Sequence, residues 1–586
     1  MYWLGMTKSP YLRLLANRID PSRSAWSDRG SRLLVFHNPH VPHLVVQTAE
    51  REPGAPSPRA HLPRPPIIRR LDVIDGQGQG LDYKLTTFPH ALLLETRLGT
   101  FALSFCSATR LAIGLPPQEM CGVRLHLSRD IRLDKDPELS WACSCHAAQQ
   151  RRDGEDDGML AEIVADEASD RAIHLLIPGE ADHPIYVEPF SVTIKRSEKR
   201  WQGWFASVPS YGGPYSKQYY YAWWVMANNL VSPAGYLLRE TLMPSKSHYV
   251  GTWNWDACFH AIGLRHVDPA LARHQLRTIL AWQNDAGMLP DAVDENQIIT
   301  HLEHPLPGDV TKPPLIAWAA EKIHALSPDR EFLWEIYEPL VGWHTWWRAG
   351  FDKEIDLAQY AHPYASGMDD SPLWDYGMPV VAPDLNTYLI VQMQCLARFA
   401  QALGKRGEAK RWRQRSTALI ERLIARTFNS EQGIFEALHD GKPIEEVTLN
   451  GLFPLWTNLL PSEVEEALVA KLTDKESFWT EYPLATVSRA SPNYSPDAMW
   501  RGPAWPPLNY IFIEALARVG RPSLAATLRE RTLAALAKGN DLCEYYNSET
   551  GEPGKHAAPS FGWTAAVFID LALQEGQALP AQRQSA

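Results

Sequence analysis

The amino-acid sequence predicts a multidomain protein: an N-terminal antiparallel β-sandwich followed by an all-α (α/α)6 barrel. Three observations carry that prediction. The chain has 586 residues, more than one ordinary hydrophobic core accommodates. Its first third is a run of short apolar and β-branched segments punctuated by Gly, Pro and Asp. From about Tyr215 the apolar spacing changes to threes and fours and stays there.

In chain order, residues 1–30 read as an N-terminal extension and 31–207 as the sandwich. Its strands are expected at Leu33–Phe36, His43–Gln47, Ala91–Thr96, Thr100–Phe105, Gly122–Leu127 and Ala172–Ile177, with a further one over Tyr186–Arg196. Many short strands separated by turn residues favour two packed antiparallel sheets. The Pro-rich stretch 53–66 and the charged stretch 151–157 read as loops.

The barrel is expected over 208–576, with residues 577–586 a disordered tail. Helices are predicted over Tyr219–Ala227, Pro269–Trp282, Pro313–Leu326, Glu331–Ala349, Leu385–Leu403, Glu408–Thr427, Ser462–Leu472, Pro507–Val519, Ser523–Lys538 and Thr564–Gln574. Asp268-Pro269 and Pro461-Ser462 suit helix starts, and Gly404 and Gly520 suit stops. Short bland connections alternate with long aromatic, acidic ones at 248–258, 283–312, 360–384 and 539–561. Helical hairpins with rich loops on every second connection gather those loops at one end of a toroid, and long loops in a compact domain carry function. An open solenoid is disfavoured because no fixed-period repeat is present.

Composition narrows the function. The formal net charge is −11, with no basic run to hold a polyanion, so nucleic acid is not an expected partner. The 22 tryptophans exceed what a core needs, and several sit beside carboxylates, as in Trp253-Asn254-Trp255-Asp256. That pairing suits a sugar ring, although each Trp alone is equally a core filler. Seven scattered cysteines argue for a reducing compartment rather than a disulfide framework. No segment has the length of a membrane span and residues 1–26 lack an apolar leader core, so a cytoplasmic protein with no membrane partner is expected. Cys143-Ser144-Cys145-His146 and His301-Leu302-Glu303-His304 resemble fragments of metal sites but lack further ligands at usable spacing, so neither metal nor cofactor is expected.

Glycosidic bond hydrolysis needs one carboxylic acid to protonate the leaving oxygen and a second carboxylate to activate water or attack. Acids in the rich loops are therefore the candidates: Asp256, Asp291, Asp294, Glu295, Asp369, Asp370, Asp375, Asp384, Asp497, Glu544 and Glu549. The residues alone do not rank them, since most loop carboxylates are solvated or cap helices.

Five ordered motifs change that. Trp253–Leu264, Ser366-Gly367-Met368-Asp369-Asp370-Ser371-Pro372, Pro383–Leu389, Trp500-Arg501-Gly502-Pro503-Ala504-Trp505-Pro506-Pro507-Leu508-Asn509-Tyr510, and Glu544-Tyr545-Tyr546-Asn547 with Ser560-Phe561-Gly562-Trp563 resemble glycoside hydrolase family 63. That family groups processing α-glucosidase I, bacterial α-glucosidases and the mannosylglycerate and glucosylglycerate hydrolases, and is related to trehalases. The resemblance implies a metal-independent inverting (α/α)6 enzyme with Asp369 as general acid and Glu544 as general base. Asp370 occupies a position where relatives often carry Asn. The usual Pro of the base segment is replaced here by Ser548-Glu549, which keeps Glu549 as a reserve base. The resemblance further implies sugar contacts by Tyr249, Trp253, Trp255, Asp256, Trp500, Arg501, Trp505 and Trp563. Lys312, in Thr311-Lys312-Pro313-Pro314, stands where several relatives have a substrate-contacting Gln.

The expected activity is that of an exo-acting α-glycosidase, an α-glucosidase on a small oligosaccharide or glucoside, with a small carbohydrate as partner and homo-oligomerisation left open. An inverting pair should stand about 6.5–9.5 Å apart. The alternatives are a glycoside phosphorylase on the same barrel, which needs an anion pocket and no base, and a catalytically inactive sugar-binding protein.

Overall fold

The computed structural model describes residues 9–51, 63–117, 119–128, 139–145, 147–153, 159–177 and 186–578. Most of the Pro-rich stretch, part of the charged one, His146 and the residues from 579 onward lie outside them. The chain divides into two compact units. One takes residues 1–210, 216–232 and 245–250; the other takes 211–215, 233–244 and 251–586.

The first unit is built on twelve strands: β1 (Leu33–Asn38), β2 (His43–Thr48), β3 (Ile68–Asp75), β4 (Lys84–Phe88), β5 (Ala91–Thr96), β6 (Gly99–Ser107), β7 (Arg110–Gly114), β8 (Cys121–Leu127), β9 (Ser140–Cys143), β10 (Ala147–Asp153), β11 (Met159–Ala165) and β12 (Ala172–Leu176). They form two six-stranded sheets, ordered β1-β2-β3-β8-β11-β10 and β4-β5-β6-β7-β12-β9, with antiparallel pairing throughout. Residues 151–153, expected in a loop, close β10 instead.

The second sheet is buried on both faces, and its residues sort by size. Ala91, Leu93, Ala102, Ala112 and Ala172 cluster with Phe190 and Ile194 of helix α2 (Phe190–Ser207), which follows the short α1 (Pro10–Leu14). Small side chains let the helix lie close: a Cβ on Gly114 would sit 2.3 Å from the Phe190 ring. The opposite face carries Leu92, Leu94, Phe101, Leu103, Leu111 and Ile113, all buried.

Helix α2 corrects the strand expected over Tyr186–Arg196. The alternation of Val192 and Ile194 looks strand-like, but Phe190, Ile194, Trp201 and Phe205 fall on one helical stripe and are buried while Val192 is exposed. Asp170 anchors the start by accepting from the Ser191 N–H at 2.8 Å. Helix α3 (Ser216–Asn229), as expected near Tyr219, also belongs to this unit.

The second unit carries α4 (Asn254–Leu264), α5 (Pro269–Leu280), α6 (Ile316–Leu326), α7 (Arg330–Ala349), α8 (Pro383–Ala402), α9 (Arg406–Thr427), α10 (Ser462–Thr473), α11 (Pro506–Arg518), α12 (Pro522–Lys538) and α13 (Gly562–Ala578). An inner ring closes in the order α4, α6, α8, the 3-10 helix Leu449–Thr457, α11, α13 and back to α4, with α5, α7, α9, α10 and α12 packed outside. Burial follows the layers. Every residue of α4 is buried, whereas α9 buries only the stripe Ala409, Trp412, Ser416, Leu419, Ile420, Leu423 and Thr427, as an outer helix should.

Two inner elements differ from expectation for related reasons. Asn254–Leu264 begins inside the stretch expected to be a loop, because a helix buried on all sides shows no apolar period. The 3-10 helix was not expected at all, because Gly451 and Pro454 interrupt it. The residues at and just before the N-termini of α4, α6, α11 and α13 include several of the candidate site residues.

Candidate active site

The loop 362–377 is fixed residue by residue. The His362 ring accepts from the Tyr364 N–H at 3.1 Å. Ser366 Oγ donates to the Pro363 carbonyl at 2.6 Å and accepts from the Met368 N–H at 2.9 Å. Gly367 has φ +74°, and a Cβ there would lie 2.5 Å from the Trp255 ring, so backbone conformation and space both demand glycine. Trp374 Nε1 donates to the Met368 carbonyl at 2.7 Å.

Two of the three carboxylates in this loop are consumed in holding it. Asp370 Oδ1 accepts from the Trp500 N–H at 2.8 Å, and Asp375 pairs through both oxygens with Arg501 at 2.7 and 2.8 Å. Asp369 is different. Its Oδ1 is sealed and has no hydrogen-bond partner among the described residues, yet 34% of its side chain is accessible, so the open surface lies on the Oδ2 side. Burial, with Asp291 and Asp370 adding to it against the opposing pull of Lys312, raises its pKa to about 7.

Lys312 precedes α6 and is buried. Its Nζ donates to the Tyr364 carbonyl at 2.5 Å, pairs with Asp291 Oδ1 at 3.0 Å and lies 3.9 Å from Asp369 Oδ1. Burial opposes its charge, but Asp291, Asp369 and Asp256 outweigh burial and raise its pKa. Asp291 reaches this place because Thr252-Trp253 pairs with Ala292-Val293 and the Asn254 N–H bonds the Asp291 carbonyl at 2.9 Å. The same pairing sets half-buried Trp253 at the N-cap of α4 and buried Trp255 and Asp256 in its first turn. Desolvation, then Glu544 and Asp291, push the Asp256 carboxyl well above the ordinary carboxylate range, with Lys312 opposing.

Glu544 is buried at 3% exposure. Its backbone pairs with the Ala558 carbonyl at 2.9 Å, its Oε2 accepts from the Ala558 N–H at 3.2 Å, and its carbonyl accepts from Trp563 Nε1 at 3.1 Å. Asp256, which feels both Glu544 and Lys312, connects this side to the Asp369 side. Glu549 points to other partners: Tyr494 OH at 2.7 Å and Arg489 Nε at 2.8 Å.

The aromatic residues pack into one continuous cluster, each 3% exposed or less. Trp500 and Trp505 stack with centroids 3.5 Å apart and 7° between planes. Tyr545 stacks on Trp505 at 4.7 Å. Trp563 meets Trp505 and Trp255 edge-on at 5.6 Å, and Trp255 also meets Trp500 at 5.9 Å.

The structure thus places Trp253, Trp255, Asp256, Lys312, Trp500, Arg501, Trp505 and Trp563 in the barrel unit at or just before the N-termini of inner helices, and Asp369 and Glu544 in the connections that lead to α8 and α13. Tyr249 lies in the 245–250 segment of the other unit, its N–H bonded to the Ser245 carbonyl at 2.8 Å. Asp384 is bonded to Tyr360 OH at 2.9 Å, and burial lifts its pKa to about 6. Asp291 was among the candidate acids, but its pairing with Lys312 was not foreseen, and Tyr545, stacked on Trp505, was not singled out. A lysine inside an apolar Pro-Pro context was a usable signal, because a buried ammonium demands a carboxylate.

Among the described residues no group of three His, Cys, Asp or Glu is arranged to hold a metal ion. His301 pairs with Asp309 and Glu303 on the surface; Cys143 and Cys145 have their sulfurs 3.4 Å apart. Nor is any described helix long and apolar enough to cross a membrane.

Comparison with known proteins identifies the family. The family model of the mannosylglycerate hydrolase MGH1-like glycoside hydrolase domain matches residues 249–564, more than half of the chain. The glucosylglycerate hydrolase of Mycolicibacterium hassiacum is 27% identical over 439 residues, covering 58% of this chain and 97% of the relative. The mannosylglycerate hydrolase of Thermus thermophilus is 24% identical over 403 residues, covering 56% of this chain and 95% of the relative. In fold, a bacterial glucoamylase solved with acarbose superposes with a TM-score of 0.58 at 10% identity, covering 96% of this chain and 94% of that one. With the family model matching residues 249–564, the chain belongs to the MGH1-like glycoside hydrolases of glycoside hydrolase family 63.

Proposed function

We propose that the protein is an inverting, exo-acting α-glycosidase whose general acid is Asp369 and whose general base is Glu544. The observation that carries this reading is the state of Asp369. It is a carboxyl held protonated up to about pH 7, with one oxygen shut off and the other side open, in a loop whose remaining carboxylates are engaged elsewhere. Such a group donates a proton at neutral pH.

In the reaction, the Asp369 proton passes to the glycosidic oxygen as the C1–O bond breaks. A water attacks C1 from the opposite face, its proton passing to Glu544, and the new C1–OH has inverted configuration. Glu544 is held in place by the Ala558 N–H, from which its Oε2 accepts at 3.2 Å. Glu549 is engaged by Arg489 and Tyr494, which favours Glu544 as base. The packed cluster of Trp255, Trp500, Trp505 and Trp563 gives the site a stiff apolar backing. Lys312 and Arg501 are paired with Asp291 and Asp375, which weighs against a phosphorylase.

For the substrate we read a small α-glucoside, and the relatives named glucosylglycerate and mannosylglycerate hydrolases put glycerate glycosides first in line. Seven free cysteines suit a reducing compartment such as the cytoplasm. The test is a panel of α-glucosylglycerate, α-mannosylglycerate and α-linked glucose disaccharides, with NMR of the first-formed sugar. Release of the β-anomer from an α-glucoside is expected; first release of the α-anomer would contradict inversion, and turnover of mannosylglycerate alone would replace glucose by mannose.

A further inference from the structure

Lys312 is placed where no surface lysine would be. It is 4% exposed, as is Asp291; its Nζ donates to the Tyr364 carbonyl at 2.5 Å and forms an ion pair with Asp291 Oδ1 at 3.0 Å. The next acceptor near it is Asp369 Oδ1 at 3.9 Å. That distance is too long for a hydrogen bond and short enough for strong charge attraction in a dry site. Asp369 Oδ1 is itself sealed without a hydrogen bond from the described residues, while the other oxygen is the open one. The two oxygens of Asp369 therefore face different worlds: Oδ2 faces the site, and Oδ1 faces an ammonium that already holds a counterion.

We infer that Lys312 and Asp291 form a buried charge pair that sets the acid strength of Asp369, with Lys312 the positioning residue that receives the negative charge left on Oδ1 when the Oδ2 proton departs. The inference rests on the reading of Asp369 as general acid. While Asp369 is neutral, Asp291 cancels most of the lysine charge, so the acid is not stripped of its proton prematurely. Once the proton has gone to the leaving oxygen, an approach of about 1 Å converts the 3.9 Å gap into a hydrogen bond of ordinary length. The ammonium neither gives up nor takes a proton; the proton lost by Asp369 is the one gained by the leaving group.

The charged and titratable groups coupled to this triad are Asp256, which in turn feels Glu544, and Asp370, Tyr364 and His362 of the acid loop. None of these is removed by altering Lys312 or Asp291, so the two halves of the pair can be varied one at a time. The bland alternative is that the ion pair only staples the 291 strand to the 312 loop.

The test titrates the Asp369 carboxyl directly, by 13C NMR of the full-length protein labelled at the aspartate carboxyl carbon, the Asp369 signal being identified by its loss in Asp369→Asn. Lys312→Met should move the titration midpoint up by about one pH unit or more, Asp291→Asn should move it down by a similar amount, and the double variant should return it towards wild type. The alkaline limb of kcat/KM on α-glucosylglycerate should follow the same three directions. A staple would shift both single variants in one direction or in neither, and that result overturns the inference. Should Lys312→Met fail to fold, Asp291→Asn alone decides, since a downward shift requires an uncompensated lysine charge. If Asp369→Asn keeps wild-type turnover, the acid assignment itself fails; if it abolishes turnover while the opposite shifts are missing, only the charge-pair inference fails.

Discussion

Helix α4 joins two buried acid clusters of opposite character. Past its C-terminal end, Arg265 and His266 hold Asp570 of α13 at 2.7 and 2.6 Å, with Tyr510 OH at 2.6 Å and Gln574 at 2.8 Å completing its bonds. Nearby, Glu514 of α11 is held by Lys322 at 2.8 Å and by Arg518. Both acids are driven below the ordinary carboxylate range because cations surround them and outweigh burial. At the N-terminal end the balance is reversed. Asp256, Asp291 and Asp369 share Lys312, and Asp256 and Asp369 are driven up. Burial is common to both clusters, so it is the ratio of cations to acids that separates the structural cluster from the chemical one.

The comparison can be broken at either end. Asp369→Asn and Glu544→Gln should each lower turnover of the best panel glycoside by roughly 10²–10⁴-fold while leaving the far-UV circular dichroism and melting transition of a folded barrel. Asp570→Asn should do the reverse, costing about 3–5 kcal/mol of stability because it strands Arg265 without its counterion, with little change in the turnover of protein that remains folded. Its pH signature follows from the depressed pKa of Asp570. The stabilisation is fully present above the unfolded value of 3.8 and is lost as the pH falls below it, so wild type and variant should converge in denaturant midpoint on acidification.

A third change sharpens the contrast between loop and core. Gly367→Ala should cost about 1–3 kcal/mol, through the positive φ and the clash with Trp255, and lower kcat along with stability. Smaller again is a gain. Asp369 titrates at about 7 in the fold against 3.8 ordinarily, so the native state binds the proton more tightly and stability falls as the pH rises from about 4 to 7. Asp369→Asn removes that fall, and should raise stability at pH 8 by about 1–2 kcal/mol, less than the full shift implies because one side of the carboxyl is open to solvent. At pH 4 the two proteins should be equal. The least effect is expected from Arg501→Ala, whose half-exposed pair with Asp375 is worth about 1 kcal/mol or less.

Most helices could be read from sequence: the outer α5, α7, α9, α10 and α12, which keep a polar face, and the inner α6, α8, α11 and α13 were all placed within a few residues. Helix α4, buried on every face, and the Gly- and Pro-broken segment 449–457 show no period, and both were missed although they complete the inner ring. Helix α2 was misread because Val192 and Ile194 alternate locally while the stripe that fixes the helix runs on to Trp201 and Phe205. In the site, the residues alone did not rank the acids, and it was the resemblance to glycoside hydrolase family 63 that pointed to Asp369 and Glu544. The Asp291 to Lys312 pair was not legible, since it depends on the strand pairing that carries residue 291 back beside α4.

The most direct test of the central claim uses α-glucosyl fluoride, whose leaving group departs without protonation. Measured side by side, Asp369→Asn should retain substantial hydrolysis of the fluoride while losing α-glucosylglycerate, and Glu544→Gln should lose both, since water must still be activated. Equal losses of the two substrates in Asp369→Asn, or fluoride hydrolysis surviving in Glu544→Gln, would contradict the assignment of acid and base.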